Sequence, residues 1–464
     1  MKRPIEAIRT RGVLTVVFGA TLMLVAAGGL QAQARIDGID LTGSTPVTVS
    51  LTARAGEVST ADGGSIHFWG YAAVGAHTGH NGGLGQYPGP TLIVTEGSEV
   101  EVSLTSDLPF GQCTSILFPG HRVTAGGGTT GVLTQESCDA GDTVTYDFTA
   151  TEPGTYTYHS GTQMELQVEM GLVGAIIVRP NLGEAFAYND IATAFDHEYL
   201  FLLTEMDPVV HALAEQGRFP EIDSTAYWPV YWFINGRAAP DTLAAPFVSW
   251  LPHQPYNILP RTTPGDKLLM RLIGGGQHQH PYHYHGNNAD IIARDGRMLS
   301  SGPGAGPDLK RSRFTTLTVP GQTVDQIFEW TGEKLGFDIY GTPTDGMPEH
   351  FCDDFFDNES EALGADGYAD LSSDYPWEWC ADHDKAFPVI LPEALNLTFG
   401  GWWSGSPFMG SEEPLPPGEG GLNPNAAFVF MWHSHAEKEL TNFDIFPGGM
   451  MTQLYVEPPG TPIP

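Results

Sequence analysis

Histidines are concentrated in two short segments in the second half of the chain. His283 and His285 lie in the segment HPYHYHG, and His433 and His435 lie in MWHSHAEKE. Residues i and i+2 of a β-strand project from the same face, so each pair would present two imidazoles side by side. Several neutral imidazoles suit copper, zinc, iron or nickel better than calcium or magnesium. The spacing therefore predicts a transition-metal site, although ordinary polar strand residues or a pH-sensitive cluster would share the pattern.

Short segments of alternating apolar and polar residues must position these histidines. In the first half of the chain they are Thr91–Thr105, Asp142–Ala150, Gly154–Ser160 and Gly174–Pro180. In the second half they are Glu198–Met206, Tyr231–Arg237, Pro264–Ile273, Asn288–Arg297 and Asp325–Trp330. This alternation is typical of half-buried strands, and 57 glycines with 36 prolines in 464 residues favour frequent turns. The sequence therefore predicts an all-β protein made of two sandwiches in tandem.

The boundary between the two predicted domains lies near residues 179–196. We assign residues 35–185 to the first domain and residues 186–464 to the second. The second domain contains a long irregular insertion at about residues 336–425. An insertion of this length is typical either of a functional lid or of a surface embellishment, and both interpretations stay open.

The first 34 residues have the features of a secretory signal peptide. Basic residues precede an apolar run from Val13 to Leu30, and Ala32–Ala34 supplies small residues at a cleavage site. An uncleaved membrane anchor is the alternative, but the run is short for one. We therefore expect export to the periplasm or the extracellular space, with no membrane attachment after processing.

The four cysteines agree with an oxidising compartment. They lie in two neighbouring pairs, Cys113 with Cys138 and Cys352 with Cys380. Neither pair has the CxxC spacing of a redox motif or a zinc ribbon. Two local disulfides are therefore predicted.

The charge of the chain is strongly negative. It contains 55 acidic and 21 Lys or Arg residues, which gives a formal net charge of −34 at pH 7. Such a surface repels phosphate backbones and anionic lipid headgroups, so binding to nucleic acid or to a membrane surface is not expected. Cationic partners, metal ions and a salty environment are compatible with it.

Over nearly the whole mature chain, the motifs resemble those of the cupredoxin-type multicopper oxidases. In chain order they are YPGPTLIV with GSEVEV, GTYTYHSG with MGLVGAIIV, FINGRAAPDT, HPYHYHG with IIARDGR, and WHSHAEKE with GGM. The resemblance implies two tandem cupredoxin-like Greek-key β-sandwich domains. Enzymes of this family combine a mononuclear type 1 copper, which accepts electrons from a reductant, with a trinuclear copper cluster at a domain interface, which reduces dioxygen to water.

The type 1 copper position of the family has lost its thiolate in this sequence. The family motif HCHxxxH occurs here with Ser434 in place of its cysteine and Glu439 in place of its last histidine, and Met450 or Met451 follows. His280 would face this pocket, because its parity on the strand is opposite to that of the two histidines after it. A blue copper site depends on the soft thiolate. We therefore predict no type 1 copper and no electron relay through a cysteine.

The trinuclear position keeps five of the eight imidazoles that the family pattern implies. The histidine-containing motif HWHG falls on LFPG at residues 117–120, and the motif HSH keeps only its first histidine. The resemblance implies that His159 and His435 share one copper ion, that His285 and His433 share another, and that His283 stands at the third position. His121 or His278 could add a ligand. The candidate metal ligands are His159, His283, His285, His433 and His435, with His280 at the type 1 position.

Three functions are compatible with these residues. The first is an exported copper-binding, multicopper-oxidase-like protein, an oxidoreductase whose copper centre keeps only part of the family's ligands and has no type 1 site. The second is a non-enzymatic copper or metal-binding protein, and the third is a catalytically inactive cupredoxin scaffold. The partners implied by the resemblance are copper ions, dioxygen and a small reductant. Two-domain members of the family often assemble as homotrimers, so a homotrimer is also an expectation.

Overall fold

The structure is a computed structural model that describes residues 35–139, 141–331, 423, 425, 427–458 and 460–464. The predicted signal peptide, the pair Cys352 and Cys380, and nearly all of the predicted insertion lie outside the described residues. Within the described ranges, no helix is both long enough and apolar enough to cross a membrane.

The first half of the chain forms a β-sandwich of two main sheets. Its described strands are β1 (Ile39–Asp40), β2 (Val47–Ser59), β3 (Ser65–Val74), β4 (Leu92–Thr95), β5 (Glu99–Asp107), β6 (Thr124–Gly127), β7 (Thr129–Thr130), β8 (Gln135–Glu136), β9 (Val144–Thr149), β10 (Gly154–His159) and β11 (Val173–Arg179). One sheet has the order β1-β4-β11-β10 and the other β3-β2-β5-β9-β6. In β5, buried Val100, Val102 and Leu104 alternate with more exposed residues, so the period-two pattern places one face in the core.

The second half forms a second sandwich. Its described strands are β12 (His197–Met206), β13 (Tyr231–Ile234), β14 (Arg261–Thr262), β15 (Lys267–Gly274), β16 (His280–Tyr284), β17 (Ala289–Arg294), β18 (Arg297–Met298), β19 (Arg311–Arg313), β20 (Thr315–Thr318), β21 (Thr323–Glu329), β22 (Phe428–Ser434) and β23 (Met451–Val456). The sheet orders are β13-β12-β15-β21-β17-β18, with β19 beside β17, and β14-β23-β22-β16-β20. The described strands bear out the prediction of an all-β protein.

Helical structure is limited to short segments between strands. The described α-helices are α1 (Met164–Gln167) and α2 (Pro208–Glu215). The described 3-10 turns are Gly75–His80, Pro109–Gly111, Ile191–Thr193, Phe219–Glu221, Ser224–Ala226, Asp241–Leu243 and Glu437–Leu440. Helix α2 begins at Pro208, because the Asp207 side chain accepts a hydrogen bond from the Val209 amide and Pro208 occupies the first turn.

The two sandwiches share a buried interface. Apolar side chains from both halves pack there into one cluster that includes Phe68 and Val173 of the first half and Leu202 and Phe233 of the second. Beside it, the buried Glu198 carboxylate accepts hydrogen bonds from Arg179 of the first half at 2.5 Å and from Arg271 of the second at 2.6 Å. Burial alone would raise the pKa of Glu198, but the two guanidinium groups lower it to about 2.

One of the two predicted disulfides lies in the described part of the chain. Cys113 and Cys138 are joined, as their spacing predicted. The domain boundary near residues 179–196 stays a prediction, although the last strand of the first sandwich ends at Arg179 and the first strand of the second begins at His197.

Candidate metal centre

Two neighbouring strands bring the paired histidines together. Strands β16 and β22 run antiparallel, and their register places His283 directly opposite His433. The ring centroid of His283 lies 4.8 Å from that of His285, 5.4 Å from that of His433 and 5.0 Å from that of His435. These four residues, which we call the four-histidine cluster, are the two HxH pairs of the sequence. Long-range strand pairing thus joins two segments about 150 residues apart.

The hydrogen bonds of the cluster leave ring nitrogens directed at one another. His283 Nδ1 lies 2.7 Å from the carbonyl of Phe314, and His433 Nδ1 lies 2.7 Å from the carbonyl of Ser434. A carbonyl only accepts, so both Nδ1 atoms carry a proton and, in the neutral rings, each Nε2 carries the lone pair that can bind a metal. His433 Nε2 lies 3.2 Å from His285 Nε2. One ring nitrogen each of His283, His285 and His433 lie within 4.8 Å of one another, an arrangement that could hold a metal ion.

The electrostatics of the cluster favour neutral imidazoles. Burial, together with the neighbouring imidazoles, lowers the pKa of His285 to about 3, and burial also lowers the pKa of His433. Metal binding requires a deprotonated ring nitrogen, so these histidines are in the ligand form at neutral pH without first losing a proton. His435 is more exposed, and its Nδ1 lies 3.1 Å from a carboxylate oxygen of Glu437.

The structure places His159 elsewhere. Among the described ring contacts of the four-histidine cluster, none involves His159, which ends β10 and pairs with Leu117. Its Nδ1 lies 2.9 Å from the carbonyl of Ser160, so its Nε2 is also unprotonated. It lines a cavity of about 410 Å³ together with Gly275 and Gln277 of the second sandwich. Within one chain, His159 therefore faces the domain interface rather than the cluster.

The two further histidines considered from the sequence lie outside the cluster. His121 packs between the rings of Phe148 and Tyr156, at centroid distances of 4.8 and 4.5 Å, and burial lowers its pKa to about 4. His278 is exposed and packs edge-on against Tyr227 at 5.2 Å. Neither joins the ring contacts of the four-histidine cluster among the described residues.

His280 has a different environment from the four-histidine cluster. It is fully buried, its Nε2 lies 2.9 Å from Glu205 Oε2, and its Nδ1 lies 2.9 Å from Glu439 Oε2. Burial lowers the pKa of His280, but the two carboxylates outweigh burial and raise it to about 9. At neutral pH, the ring is an imidazolium that donates one hydrogen bond to each carboxylate. In this arrangement neither ring nitrogen is free for a metal, and we call the three residues the Glu–His–Glu triad.

The residues around the triad refine the sequence interpretation. Ser434, at the cysteine position, accepts a hydrogen bond from the Ala436 amide at 3.2 Å. Of the two candidate methionines, Met450 is fully buried, whereas Met451 begins β23 and pairs with His433. Glu205 was not among the site residues predicted from the sequence. The one available signal was an acidic residue at the end of the apolar run EYLFLLTEM, where a buried charge requires a partner.

Comparisons with known proteins relate part of the chain to multicopper oxidases. The family model described as multicopper oxidase matches residues 76–182. The multicopper oxidase MCE of Talaromyces pinophilus is 34% identical over 114 residues, which are 24% of this chain and 18% of that protein. The matched part therefore spans less than a fifth of the length of that curated relative.

Two solved structures share the fold. The multicopper oxidase mgLAC has a TM-score of 0.51 at 18% identity, with 90% of this chain and 87% of that chain covered. The blue copper oxidase from Nitrosomonas europaea has a TM-score of 0.50 at 18% identity, with 88% and 85% covered. The expected tandem cupredoxin-like fold and the resemblance to multicopper oxidases are both confirmed.

Proposed function

We propose that this chain is an exported copper protein, a multicopper-oxidase-like oxidoreductase. Its copper centre would have fewer histidine ligands than the family pattern, and it would work without a type 1 site. The four-histidine cluster is the proposed copper site. The observation that carries the proposal is the convergence of three ring nitrogens, those of His283, His285 and His433, within 4.8 Å of one another. The resemblance to multicopper oxidases over residues 76–182 selects copper among the metals that imidazoles bind.

The donor set fits copper in two respects. The backbone carbonyls of Phe314 and Ser434 hold His283 and His433 in the tautomer whose Nε2 can bind a metal. The low pKa of His285 means that a proton does not compete with the metal near neutral pH. Copper bound here would supply one-electron redox chemistry and an open position for dioxygen.

The side chains of the cluster define how a reductant would approach. His285 is partly exposed, and the His435 side chain is 47% exposed. Because both nitrogens of His280 are held by carboxylates, the proposal includes no second copper on that side of β16. A small reductant would therefore give electrons at the exposed edge of the cluster, through His285 or His435.

A homotrimer is part of the proposal, because of the position of His159. Its Nε2 is unprotonated and free to bind a metal, yet it lies outside the four-histidine cluster of its own chain. A neighbouring copy could supply His159 to the partly exposed cluster, so that copper is held between chains. Sedimentation of the copper-loaded protein and copper titration of the variant His159→Ala test this. A monomeric protein whose copper affinity is unchanged by His159→Ala contradicts it.

Metal analysis and EPR of the purified mature protein, refolded with Cu(II), test the copper site. We expect bound copper without a type 1 signal, and loss of that copper in the variant His433→Ala. The matched control is His278→Ala, because His278 is an exposed histidine outside the cluster. A metal-free wild-type protein would contradict the proposal and favour the inactive scaffold. Copper binding unchanged by His433→Ala would place the metal elsewhere.

A non-enzymatic copper-binding protein is the second candidate. The observation that favours it is the Glu–His–Glu triad, which leaves the electron-entry position of the family without a metal-binding nitrogen. Oxygen consumption with a small phenol or a metal-ion reductant separates the two. The oxidoreductase requires consumption that depends on copper and is lost in His285→Ala. Full copper occupancy without oxygen consumption favours the binding protein.

A further inference from the structure

We infer that the chain has a second binding site, a cavity that takes a small primary amine carrying an apolar group. The cavity has a volume of about 510 Å³, which is within the usual range for small-molecule sites. It lies between the segment Gln163–Glu169, helix α2, the turns at residues 219–227 and the loop at Gln277 and His278. No member of the four-histidine cluster lines it.

The charged side of the cavity is formed by carboxylates. Glu169 is almost fully buried in its wall, and Glu165 is exposed at its rim. The residues that line the cavity include no lysine and no arginine. Burial raises the pKa of Glu169, since desolvation disfavours its charged form. A cation in the cavity would stabilise the ionised carboxylate.

Inside the protein, Glu169 contacts two neutral hydrogen-bond donors and one histidine. It accepts hydrogen bonds from the Tyr227 hydroxyl at 2.7 Å and from the Asp207 amide at 2.7 Å, and both donors are neutral. The third neighbour is the buried His211, whose Nε2 lies 3.4 Å from Glu169 Oε1 and makes no hydrogen bond. His211 Nδ1 donates a hydrogen bond to the carbonyl of His67. An ammonium group in the cavity would place a full positive charge beside Glu169 and could form a charge-assisted hydrogen bond with it.

The cavity lining also includes apolar residues. Leu166 and Val210 are buried members of the first core, and the half-buried Phe219 and Ile222 pack against that core. Burial of a ligand's apolar surface against these side chains would stabilise the complex, because that surface leaves water. A metal ion or a fully polar cation would not use it. The carboxylates and the apolar residues together select a ligand that carries both an ammonium group and an apolar group.

Calorimetric titration of the full-length mature protein with 2-phenylethylamine at pH 7 tests the site. The matched ligand is 2-phenylethanol, which has the same ring and chain without the charge. We expect the amine to bind at least about tenfold more tightly than the alcohol, because its ammonium group can form a charge-assisted hydrogen bond with the carboxylate. Equal affinity for the two ligands, or binding of neither, would overturn the inference.

Variants locate the binding. Glu169→Gln should remove the preference for the amine, whereas Glu101→Gln, an exposed acid on β5, should leave it unchanged and so exclude general attraction to an acidic protein. Ser224→Arg at the exposed rim introduces a competing guanidinium without touching the core, and should abolish amine binding even if Glu169→Gln does not fold. Amine binding that survives Ser224→Arg would place the ligand elsewhere and reject this cavity. All of these measurements are independent of copper.

Discussion

Strand β16 carries two histidine environments, three residues apart, with opposite chemistry. His283 donates from Nδ1 to a neutral backbone carbonyl, and its ring lies among other imidazoles. His280 donates from both nitrogens to two carboxylates and is fully buried. The pKa of His285, beside His283, is lowered to about 3, whereas the pKa of His280 is raised to about 9.

The difference shows that the partners of the second ring nitrogen decide what an imidazole binds. A carbonyl fixes the tautomer without adding charge, so the other nitrogen stays available to a metal. Two carboxylates instead stabilise the doubly protonated ring, and the position binds a proton. Strand parity explains why both can occur in one short segment, since His280 and His283 face opposite sides of the sheet. Substitutions that change one environment toward the other test this difference.

The largest expected effect is a change in what the His280 pocket holds. The double variant Ser434→Cys with Glu439→His releases His280 Nδ1 and supplies the two missing ligands, with buried Met450 as the weak axial one. We expect added Cu(II) to produce an intense visible absorption band. The control, Ser434→Ala with Glu439→His, lacks the thiolate and should stay colourless. Copper uptake by the double variant without colour would mean that the pocket no longer allows this geometry.

Removal of one charge from the triad should strongly destabilise the fold. Glu205→Gln leaves a buried imidazolium with a single carboxylate, and breaking a buried ion pair costs about 3–5 kcal/mol of unfolding free energy. Urea unfolding at pH 7 measures the loss. Glu101→Gln, on an exposed face, should stay within about 0.5 kcal/mol of wild type. Similar losses for both variants would show that the triad contributes no specific stability.

The triad also predicts an alkaline loss of stability. The folded pKa of His280, about 9, is above the ordinary value of 6.5, so its contribution is complete below about pH 6.5 and is lost as the pH rises through 9. The shift corresponds to about 3 kcal/mol at most. Unfolding free energies measured from pH 6 to 10 should decline over this range, and less steeply in His280→Gln. Parallel slopes for the two proteins would contradict the assignment.

The smallest effect is expected from the support of His283. Thr315 Oγ1 lies 2.9 Å from His283 Nδ1, and the Phe314 carbonyl already accepts from the same nitrogen. Thr315→Val should therefore lower copper affinity by no more than about tenfold, the low end for residues that support a metal ligand. Equilibrium dialysis measures this, with the exposed Thr48→Val as control. A complete loss of copper would indicate that Thr315 itself binds the metal.

Local patterns in the sequence predicted the all-β fold. They also predicted that the two histidines of each HxH segment project from the same face of a strand. Period two places His283 and His285 on one face, whatever the rest of the chain does. The contact of His283 with His433 needed the β16–β22 register, which no local pattern contains. Glu205 was missed for the same reason, because its partner His280 is 75 residues away and the intervening chain forms other strands. The resemblance predicted the ligand positions, but only the fold places His159 outside the ring contacts of the cluster.

The interface between the sandwiches should couple their thermal unfolding. One apolar cluster draws side chains from both halves, and Glu198 is bonded to an arginine of each. Separation of the halves would expose that apolar surface and would remove one of the two arginine partners of Glu198. The described parts of the two sandwiches should therefore unfold as one cooperative unit. Calorimetry should show a single heat-absorption peak whose van't Hoff enthalpy equals the calorimetric enthalpy, rather than one peak for each sandwich.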